Sequence, residues 1–324
     1  MVRVWGSIAA CALFLSTQSA FTNSTAAEQC TLRLMATLPM TEVGDGFEVP
    51  VSINGETHQF LVDTGGIYSS LAESIVQRQK LNEVSISGTD IFNTKGEKYK
   101  KGVSIDSLKV GNNEAKHFHM LARETFEPDE DGIIAPDLLQ LFDVELDFAA
   151  HRMNLFSPDH CPGKVVYWAK EHAAIPFKMP DGYHIVVPVA LDGRTLMAYF
   201  DTGAPSTLLS QHIAEAIFNA GPDASGTEKR PGAQPQDLIQ YQHRFKSLAF
   251  GGVSVTNPLI YLLPDEAEKA IRRNYDDPKS MDDPVYGLQL RLPRLTIGEN
   301  VIKRLHVYIA YKEKVMYVTA ADAR

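Results

Sequence analysis

The chain carries one sequence pattern twice, and this duplication limits its fold more than any other feature. The segment VPVSINGETHQFLVDTG, which begins at Val49, matches VPVALDGRTLMAYFDTG, which begins at Val187, without a gap. Eight of the seventeen aligned positions are identical, and Asp63 aligns with Asp201. An Asp-Thr-Gly tripeptide alone is an ordinary turn sequence. A match of this length within one chain instead indicates a duplicated folding unit.

Two further matches follow in the same order along the chain. SLKVGN from Ser107 matches SLAFGG from Ser247. IIAPDLLQLFDVELDF from Ile133 matches TIGENVIKRLHVYIAY from Thr296. The separation between the copies grows slowly from the first match to the third, so the second copy has roughly twenty-five extra residues. We expect two homologous lobes, residues 28–165 and residues 166–324, with the boundary between about 162 and 174.

Each copy is predicted to consist mostly of short strands. Asn54-Gly55 and Asp192-Gly193 separate alternating hydrophobic segments, which is the pattern of a β-hairpin. Each Asp-Thr-Gly thus ends the second strand of a hairpin. Downstream, the spacing predicts short helices over 70–79 and 210–219 and strands over 98–110 and 244–250. The third match predicts in each copy a short amphipathic helix followed by an alternating strand.

Composition and charge indicate an ordinary globular protein. The 324 residues are 44% hydrophobic and 22% charged, which suits about two buried cores. The formal net charge is −9, and lysines and arginines form no cluster. These features argue against a nucleic-acid partner and against an anionic membrane surface as a target.

The N-terminus has the pattern of a secretory signal peptide, assigned to residues 1–27. Arg3 precedes an apolar segment from Val4 to Leu15, and small polar residues follow, with cleavage expected between Ala20 and Ala27. The alternative is a membrane anchor, but twelve apolar residues are too few to span a bilayer. We expect an exported protein, periplasmic or secreted, with no membrane span.

Removal of the signal peptide leaves two cysteines, Cys30 and Cys161. In an oxidising compartment, an even number of cysteines favours a disulfide, here joining the start of the mature chain to the segment between the lobes. Free thiols are the alternative. Neither cysteine has the sequence surroundings of a catalytic nucleophile.

Asp63 and Asp201 are charged residues at the ends of strands directed into a core. If the lobes face each other across a pseudo-twofold axis, the two hairpin ends meet and the acids lie at the junction. Two carboxylates a few ångströms apart do not both ionise easily, so the pair holds one proton and titrates as a unit. One acid then acts as a base toward a shared water while the other polarises a substrate carbonyl. The pattern predicts direct attack of water on an amide.

The residues after each aspartate suit this arrangement. A glycine after each threonine allows two backbones to approach closely. Each threonine supplies a hydroxyl that can brace the junction, although packing of the turn alone also explains a threonine.

The paired Asp-Thr-Gly sequences, each followed by hydrophobic residues with a glycine-like position and a helix, resemble the aspartic peptidases of the retropepsin and pepsin clan. In particular, the chain is similar to exported bacterial retropepsin-like proteins that carry both lobes in one chain, over nearly all of the mature sequence. The resemblance implies a mostly β, bilobal acid protease fold. It implies a catalytic dyad of Asp63 and Asp201, lobe-locking hydroxyls on Thr64 and Thr202, tight-turn glycines at Gly65 and Gly203, and a flap hairpin near 93–99 whose Tyr99 is a candidate substrate-binding residue.

Two positions depart from the family pattern. The residue after the tripeptide is Gly66 in the first lobe and Ala204 in the second. The hydrophobic-hydrophobic-glycine motif ends at Gly298 in the second lobe but at Ala135 in the first. We expect the methyl group of Ala135 to crowd the strand that supports Asp63.

Other polar residues are interpreted as surface features. His117 and His119 share a strand face, but no third ligand lies at metal-binding spacing, so a solvated face is favoured over a metal site. Asp143, Glu145 and Asp147 alternate in the same way and are expected on an exposed face. We expect neither a cofactor nor a metal.

The sequence thus predicts an aspartic endopeptidase that acts as a monomer, because one chain supplies both acids. Its polypeptide substrate would lie extended and pair with strand edges. The alternative is a peptide-binding module that has the same fold but no catalytic activity.

Overall fold

The structure is a computed structural model that describes residues 31–44, 46–86, 99, 101–123, 130–233, 237–268 and 293–322. The predicted signal peptide, Cys30 and residues 93–98 of the predicted flap lie outside these ranges. The pairing of Cys30 with Cys161 therefore stays a prediction. The part of the chain from Thr31 onward forms one compact unit. None of the helices in the described ranges has the length and hydropathy needed to cross a membrane.

The N-terminal half contains eleven strands and two short helices among the described residues. They are β1 (Leu34–Pro39), β2 (Thr41–Val43), β3 (Gly46–Ile53), β4 (Glu56–Val62), β5 (Ser70–Ala72), α1 (Glu73–Gln79), β6 (Asn82–Val84), β7 (Gly102–Val110), β8 (Asn113–Arg123), β9 (Gly132–Ile134), α2 (Pro136–Leu139), β10 (Asp143–Asp147) and β11 (Arg152–Phe156).

The C-terminal half repeats this order. Its elements are β12 (Ala173–Pro176), β13 (Val186–Leu191), β14 (Arg194–Phe200), β15 (Leu208–Ser210), α3 (Gln211–Phe218), β16 (Thr227–Lys229), β17 (Tyr241–Arg244), β18 (Ser247–Phe250), β19 (Val253–Thr256), β20 (Leu259–Leu263), β21 (Leu295–Ile297), α4 (Glu299–Ile302), β22 (Leu305–Ala310) and β23 (Val315–Ala320).

Each half forms a large sheet of its own. The first has the strand order β2-β3-β4-β9-β5-β8-β7-β6, and the second has the order β16-β17-β20-β15-β21-β14-β13-β18-β19. In both, the predicted hairpin is present, as β3 with β4 and as β13 with β14. Its second strand pairs in parallel with a strand of the third match, β9 or β21. The expected mostly β fold with two related lobes is confirmed.

A third sheet, with the order β1-β11-β10-β22-β23-β12, combines strands from both halves. Val144 and Leu146 of β10 pair with Ile309 and Val307 of β22. A buried hydrophobic cluster extends through both halves and includes Phe60 and Phe200. The two copies are therefore joined by shared backbone pairing as well as by side-chain packing. The lobe boundary near residue 165 stays a prediction.

The helix predicted over 210–219 is present as α3, whereas the helix predicted from residue 70 begins at Glu73. Ser70 and Leu71 extend between β8 and β9, and Leu208–Ser210 occupies the equivalent place between β20 and β21. These residues are extended because neighbouring strands supply hydrogen-bond partners on both sides, which local helix propensity does not reveal. The helices α1 and α3 follow directly.

The prediction of an exposed face at Asp143, Glu145 and Asp147 is wrong. All three side chains are buried. The reason is that β10 lies between β11 and β22, and its acidic face is covered by the segment between the lobes. His160 of that segment bonds Asp143, and the Tyr167 hydroxyl donates to Glu145 at 2.7 Å. The acidic and hydrophobic residues that alternate along β10 therefore lie on two buried faces of the strand.

Candidate active site

Asp63 and Asp201 occupy equivalent places just after β4 and β14. The backbone N–H of Asp63 donates to the carbonyl of Ile134 at 3.0 Å, and that of Asp201 donates to the carbonyl of Ile297 at 3.0 Å. The acceptors end β9 and β21, the parallel neighbours of the aspartate strands. The third sequence match thus supplies the strand that holds each aspartate.

The turn after each aspartate orients its carboxylate. Oδ1 of Asp63 accepts the backbone N–H groups of Gly65 at 2.9 Å and Gly66 at 2.8 Å. Oδ1 of Asp201 accepts the two equivalent N–H groups at 2.9 and 3.1 Å. Backbone donors of this kind stabilise the ionised form. Both acids are therefore oriented by the same backbone geometry.

Each motif glycine lies against the aspartate of the other lobe. A Cβ atom at Gly65 would lie 2.1 Å from Cγ of Asp201, and a Cβ atom at Gly203 would lie 2.4 Å from Cγ of Asp63. Any side chain at these positions would overlap the acid, so the close approach requires glycine. The two acids also interact, because the charge of Asp63 raises the pKa of Asp201. The structure therefore brings together the two acids singled out in the sequence.

Thr64 and Thr202 are buried and bonded across the same junction. The Thr64 hydroxyl donates to the carbonyl of Phe200 at 2.9 Å, and the Thr202 hydroxyl donates to the carbonyl of Val62 at 2.6 Å. In return, the backbone N–H of each threonine donates to the hydroxyl of the other, at 3.0 and 3.1 Å. These reciprocal hydrogen bonds tie the two aspartate turns together.

Burial raises the pKa of both aspartates. At Asp63, burial outweighs the backbone N–H groups of Gly65 and Gly66, which favour ionisation. At Asp201, burial and the nearby charge of Asp63 together raise the pKa to about 7. The pair therefore shares a proton below neutral pH. A carboxyl and a carboxylate side by side can act as acid and base toward one water.

In each lobe, a hydrogen-bonded pair of polar residues supports the strand that binds the aspartate, and sequence reasoning missed both pairs. Oδ1 of Asp137 accepts the N–H and hydroxyl of Ser69 at 2.9 and 2.6 Å. Oδ1 of Asn300 accepts the N–H and hydroxyl of Thr207, both at 2.8 Å. Each hydroxyl accepts the backbone N–H of the residue after β9 or β21. The two pairs are equivalent in the repeat alignment, so the signal was present in the sequence.

Gly66 and Ala135, the two departures from the family pattern, fit each other. A Cβ atom at Gly66 would lie 3.4 Å from the buried Ala135 methyl and 2.9 Å from Oδ2 of Asp63. In the other lobe, Ala204 has the methyl, and a Cβ atom at Gly298 would lie 2.5 Å from the carbonyl oxygen of Ser206 and 2.6 Å from that of Ala204. The first lobe thus has the glycine and the alanine at exchanged positions, and β9 still binds Asp63.

Tyr99 lies near the aspartate pair. Burial raises the pKa of Tyr99, the positive charge of Arg123 lowers it, and the charge of Asp63 raises it. The phenol is therefore within electrostatic range of one catalytic candidate. Because the rest of the predicted flap lies outside the described residues, the substrate-binding role of Tyr99 stays a prediction.

Two ionisable side chains near Asp201 escaped sequence reasoning. The pKa of His184 is raised by Asp181, by the charge of Asp201 and by the backbone of Gly65, so its imidazole lies within interaction range of the aspartate pair. Glu299 is buried, and neither of its carboxylate oxygens has a hydrogen-bond partner in the described part of the chain. Burial raises the pKa of Glu299 to about 9. Glu299 lies in the third sequence match and His184 lies outside all three matches, and only the fold brings both to the site.

The candidate metal ligands among the described residues lie outside the aspartate turns. His117 and His119 are exposed on β8, in agreement with a solvated strand face. Among the described residues, the group with metal-ligand character is His212, Asp265 and Glu268, whose ligand atoms lie within 4.8 Å of one another. Glu268 there already pairs with Arg294 and bonds the hydroxyl of Ser210.

The comparisons with known proteins agree with this geometry. Residues 49–134 match a family model described as "gag-polyprotein putative aspartyl protease", and residues 187–283 match one described as "Aspartyl protease". No curated protein matches the sequence significantly. The two family matches each contain one Asp-Thr-Gly.

Two solved structures have the same fold as this chain. The aspartic proteinase from Irpex lacteus has a TM-score of 0.54 and 12% identity, over 88% of this chain and 97% of that chain. Basic 7S globulin from soybean has a TM-score of 0.52 and 9% identity, over 90% of this chain and 96% of that chain. Each half of the chain thus matches an aspartyl protease family model around its Asp-Thr-Gly, and the chain has the two-lobed fold of the aspartic proteinases, as the sequence resemblance indicated.

Proposed function

We propose that this chain is an aspartic endopeptidase that hydrolyses peptide bonds of polypeptide substrates with water activated between Asp63 and Asp201. The observation that carries the proposal is the reciprocal packing of each aspartate against the glycine of the other lobe. This geometry suits two carboxyl groups that share one proton.

In the proposed reaction, the ionised member of the pair takes a proton from a water molecule while the oxygen of that water attacks the substrate carbonyl. The protonated member donates a hydrogen bond to the carbonyl oxygen, which gains negative charge. A proton then passes to the amide nitrogen as the C–N bond breaks. Thr64 and Thr202 maintain the relative position of the two acids throughout.

The test uses the purified chain and a diverse peptide library from pH 3 to 8, with cleavage followed by mass spectrometry. Asp63→Asn and Asp201→Asn should each lower the cleavage rate by roughly 10²–10⁴-fold, because general acid and base catalysis contributes that much. Asp106→Asn changes an exposed aspartate in the same way and should cleave at the native rate. Native cleavage that persists in either dyad variant would refute the mechanism.

The same experiment separates catalysis from a peptide-binding module without activity. A fold shared with both a proteinase and a globulin does not by itself specify turnover. Peptide binding without cleavage at any pH would favour the binding module. The intact hydrogen bond from Asp63 to β9, despite Ala135, supports the active enzyme.

We further propose that the enzyme is exported and works as a monomer. The proposal rests on the signal-like pattern of residues 1–27 and on the presence of both acids in one chain. Cell fractionation with N-terminal sequencing tests the export, and sedimentation equilibrium tests the oligomeric state. A cytoplasmic chain that retains residue 1, or a stable dimer, would contradict it.

A further inference from the structure

We propose that His184, held by Asp181 and placed against Gly65, is a positioning residue that keeps a positive charge beside the aspartate pair and stabilises its singly ionised form. The inference rests on the proposed function, because it assigns a role in the same site. It concerns a residue outside both Asp-Thr-Gly motifs.

Asp181 holds both the backbone and the ring of His184. Its Oδ1 accepts the backbone N–H groups of Tyr183 at 2.9 Å and His184 at 2.8 Å. Its Oδ2 bonds Nδ1 of the His184 ring. One carboxylate thus fixes the position and the rotation of the imidazole just before β13.

The other side of the ring faces the aspartate pair. The backbone of Gly65 raises the pKa of His184, so the imidazole lies within interaction range of the turn that follows Asp63. The N–H of Gly65 already donates to Asp63, so the group that acts on the ring is the carbonyl. The imidazole also packs on Tyr199, two residues before Asp201, with ring centroids 5.4 Å apart. His184 therefore connects a strand of the second lobe to the aspartate turn of the first.

The carboxylate of Asp181 favours the protonated ring. It bonds Nδ1, and its negative charge stabilises an imidazolium. Burial lowers the pKa of His184, but the hydrogen bond and charge of Asp181, the charge of Asp201 and the Gly65 carbonyl outweigh burial and raise it.

The charged groups that reach His184 are Asp181, Asp63 and Asp201. Asp181 remains ionised, because the hydrogen bond and charge of His184 outweigh its burial and lower its pKa. In turn, the His184 charge lowers the pKa of both dyad acids. The cation thus offsets part of the burial that opposes the first ionisation of the pair.

The position equivalent to His184 in the first lobe is a glycine. In the alignment that pairs Asp63 with Asp201, Gly46 corresponds to His184 and Leu61 to Tyr199. A Cβ atom at Gly46 would lie 2.7 Å from Cδ1 of Leu61, so a side chain at this position would require Leu61 to move. The second lobe therefore supplies an imidazole at a position where the first lobe has a glycine.

The first experiment measures the pKa of the His184 imidazole by NMR in the native chain, in Asp201→Asn and in Asp181→Asn. Loss of either negative charge should lower the imidazole pKa, by roughly one unit or more for Asp181→Asn. Asp106→Asn serves as the control and should leave it unchanged. An identical His184 pKa in the native chain and in Asp201→Asn would overturn the proposal, whether or not the chain cleaves peptides.

The second experiment measures kcat/KM against pH for His184→Asn, with the exposed His119→Asn as the matched control. We expect the acidic limb of the profile to move up by about one pH unit in His184→Asn and to stay in place in the control. A native profile in His184→Asn would overturn the proposal. A native chain that cleaves nothing would overturn the proposed function, and the NMR result would then report separately on the coupling of His184 to the pair.

Discussion

The two lobes hold their aspartates with the same backbone hydrogen bonds but surround them with different side chains. Asp63 and Asp201 receive equivalent N–H donors at distances between 2.8 and 3.1 Å, and Thr64 and Thr202 bond each other reciprocally. Further from the junction, the first lobe has Asp137 at the position where the second lobe has Asn300. The similarity is thus greatest at the junction and decreases away from it.

The difference has a geometric cause. A residue on the pseudo-twofold axis contacts its own counterpart, so a change in one lobe must be compatible with the other. A residue away from the axis contacts mainly its own lobe, and it can change together with a neighbour there. Gly66 with Ala135, and Ala204 with Gly298, carry the glycine and the alanine in opposite order in the two lobes.

The largest expected effect tests the symmetric part of the comparison. Thr64→Val and Thr202→Val each remove a hydroxyl and leave a buried carbonyl and a buried N–H of the other lobe without a partner. Each should lower the free energy of unfolding by roughly 2–5 kcal/mol, because every unsatisfied buried group costs about 1–3 kcal/mol. Chemical denaturation measures it.

Thr57→Val changes an exposed threonine on β4 and serves as the control, with an expected effect near zero. The two junction variants should differ little from each other, and the double variant should cost less than their sum because they share hydrogen bonds. A large cost in one lobe and none in the other would break the comparison.

The next effect tests an asymmetric position. Glu299 is buried where the first lobe has Pro136, and burial raises its pKa to about 9. A carboxyl with a higher pKa in the folded state binds more protons when folded, so its contribution to stability is lost as pH rises from its unfolded value near 4.5 toward 9. The loss is at most about 1.4 kcal/mol per pH unit.

Glu299→Gln should therefore flatten the dependence of stability on pH between 5 and 8 and make the chain more stable than native at pH 8. Glu171→Gln replaces an exposed glutamate and should retain the native slope. Thermal unfolding at several pH values measures both. A native slope in Glu299→Gln would mean that the carboxylate is solvated, and the asymmetry would then have no electrostatic consequence.

The smallest expected effect tests the exchanged methyl group. Gly66→Ala should cost about 1–3 kcal/mol of stability, because its Cβ meets Asp63 and the Ala135 methyl. Combination with Ala135→Gly recreates the arrangement of the second lobe. We expect the double variant to be more stable than the sum of the single effects predicts, by about 1 kcal/mol.

A double-mutant cycle measured by denaturation provides this coupling energy. Gly66→Ala combined with Ala249→Gly in the other lobe supplies an uncoupled reference. Strict additivity of Gly66→Ala and Ala135→Gly would show that the two positions changed independently.

The repeat alignment determined most of the fold and the central acids in advance. It located both hairpins, both aspartates and the strands that hold them, because these features recur in the same order in both copies and depend on local patterns of hydrophobic and turn residues. It also contained the equivalence of Ser69 with Thr207, which becomes meaningful only when the hydrogen bonds are seen.

The tertiary structure alone decided which charges are buried. Alternation in β10 suggested an exposed acidic face at Asp143, yet strands from both halves and the connecting segment cover it. Glu299 follows β21 and His184 precedes β13, and both come near Asp201 because β21, β14 and β13 are neighbours in one sheet. Local sequence specifies strands and turns through nearest neighbours, whereas burial and pKa depend on residues far away in the chain.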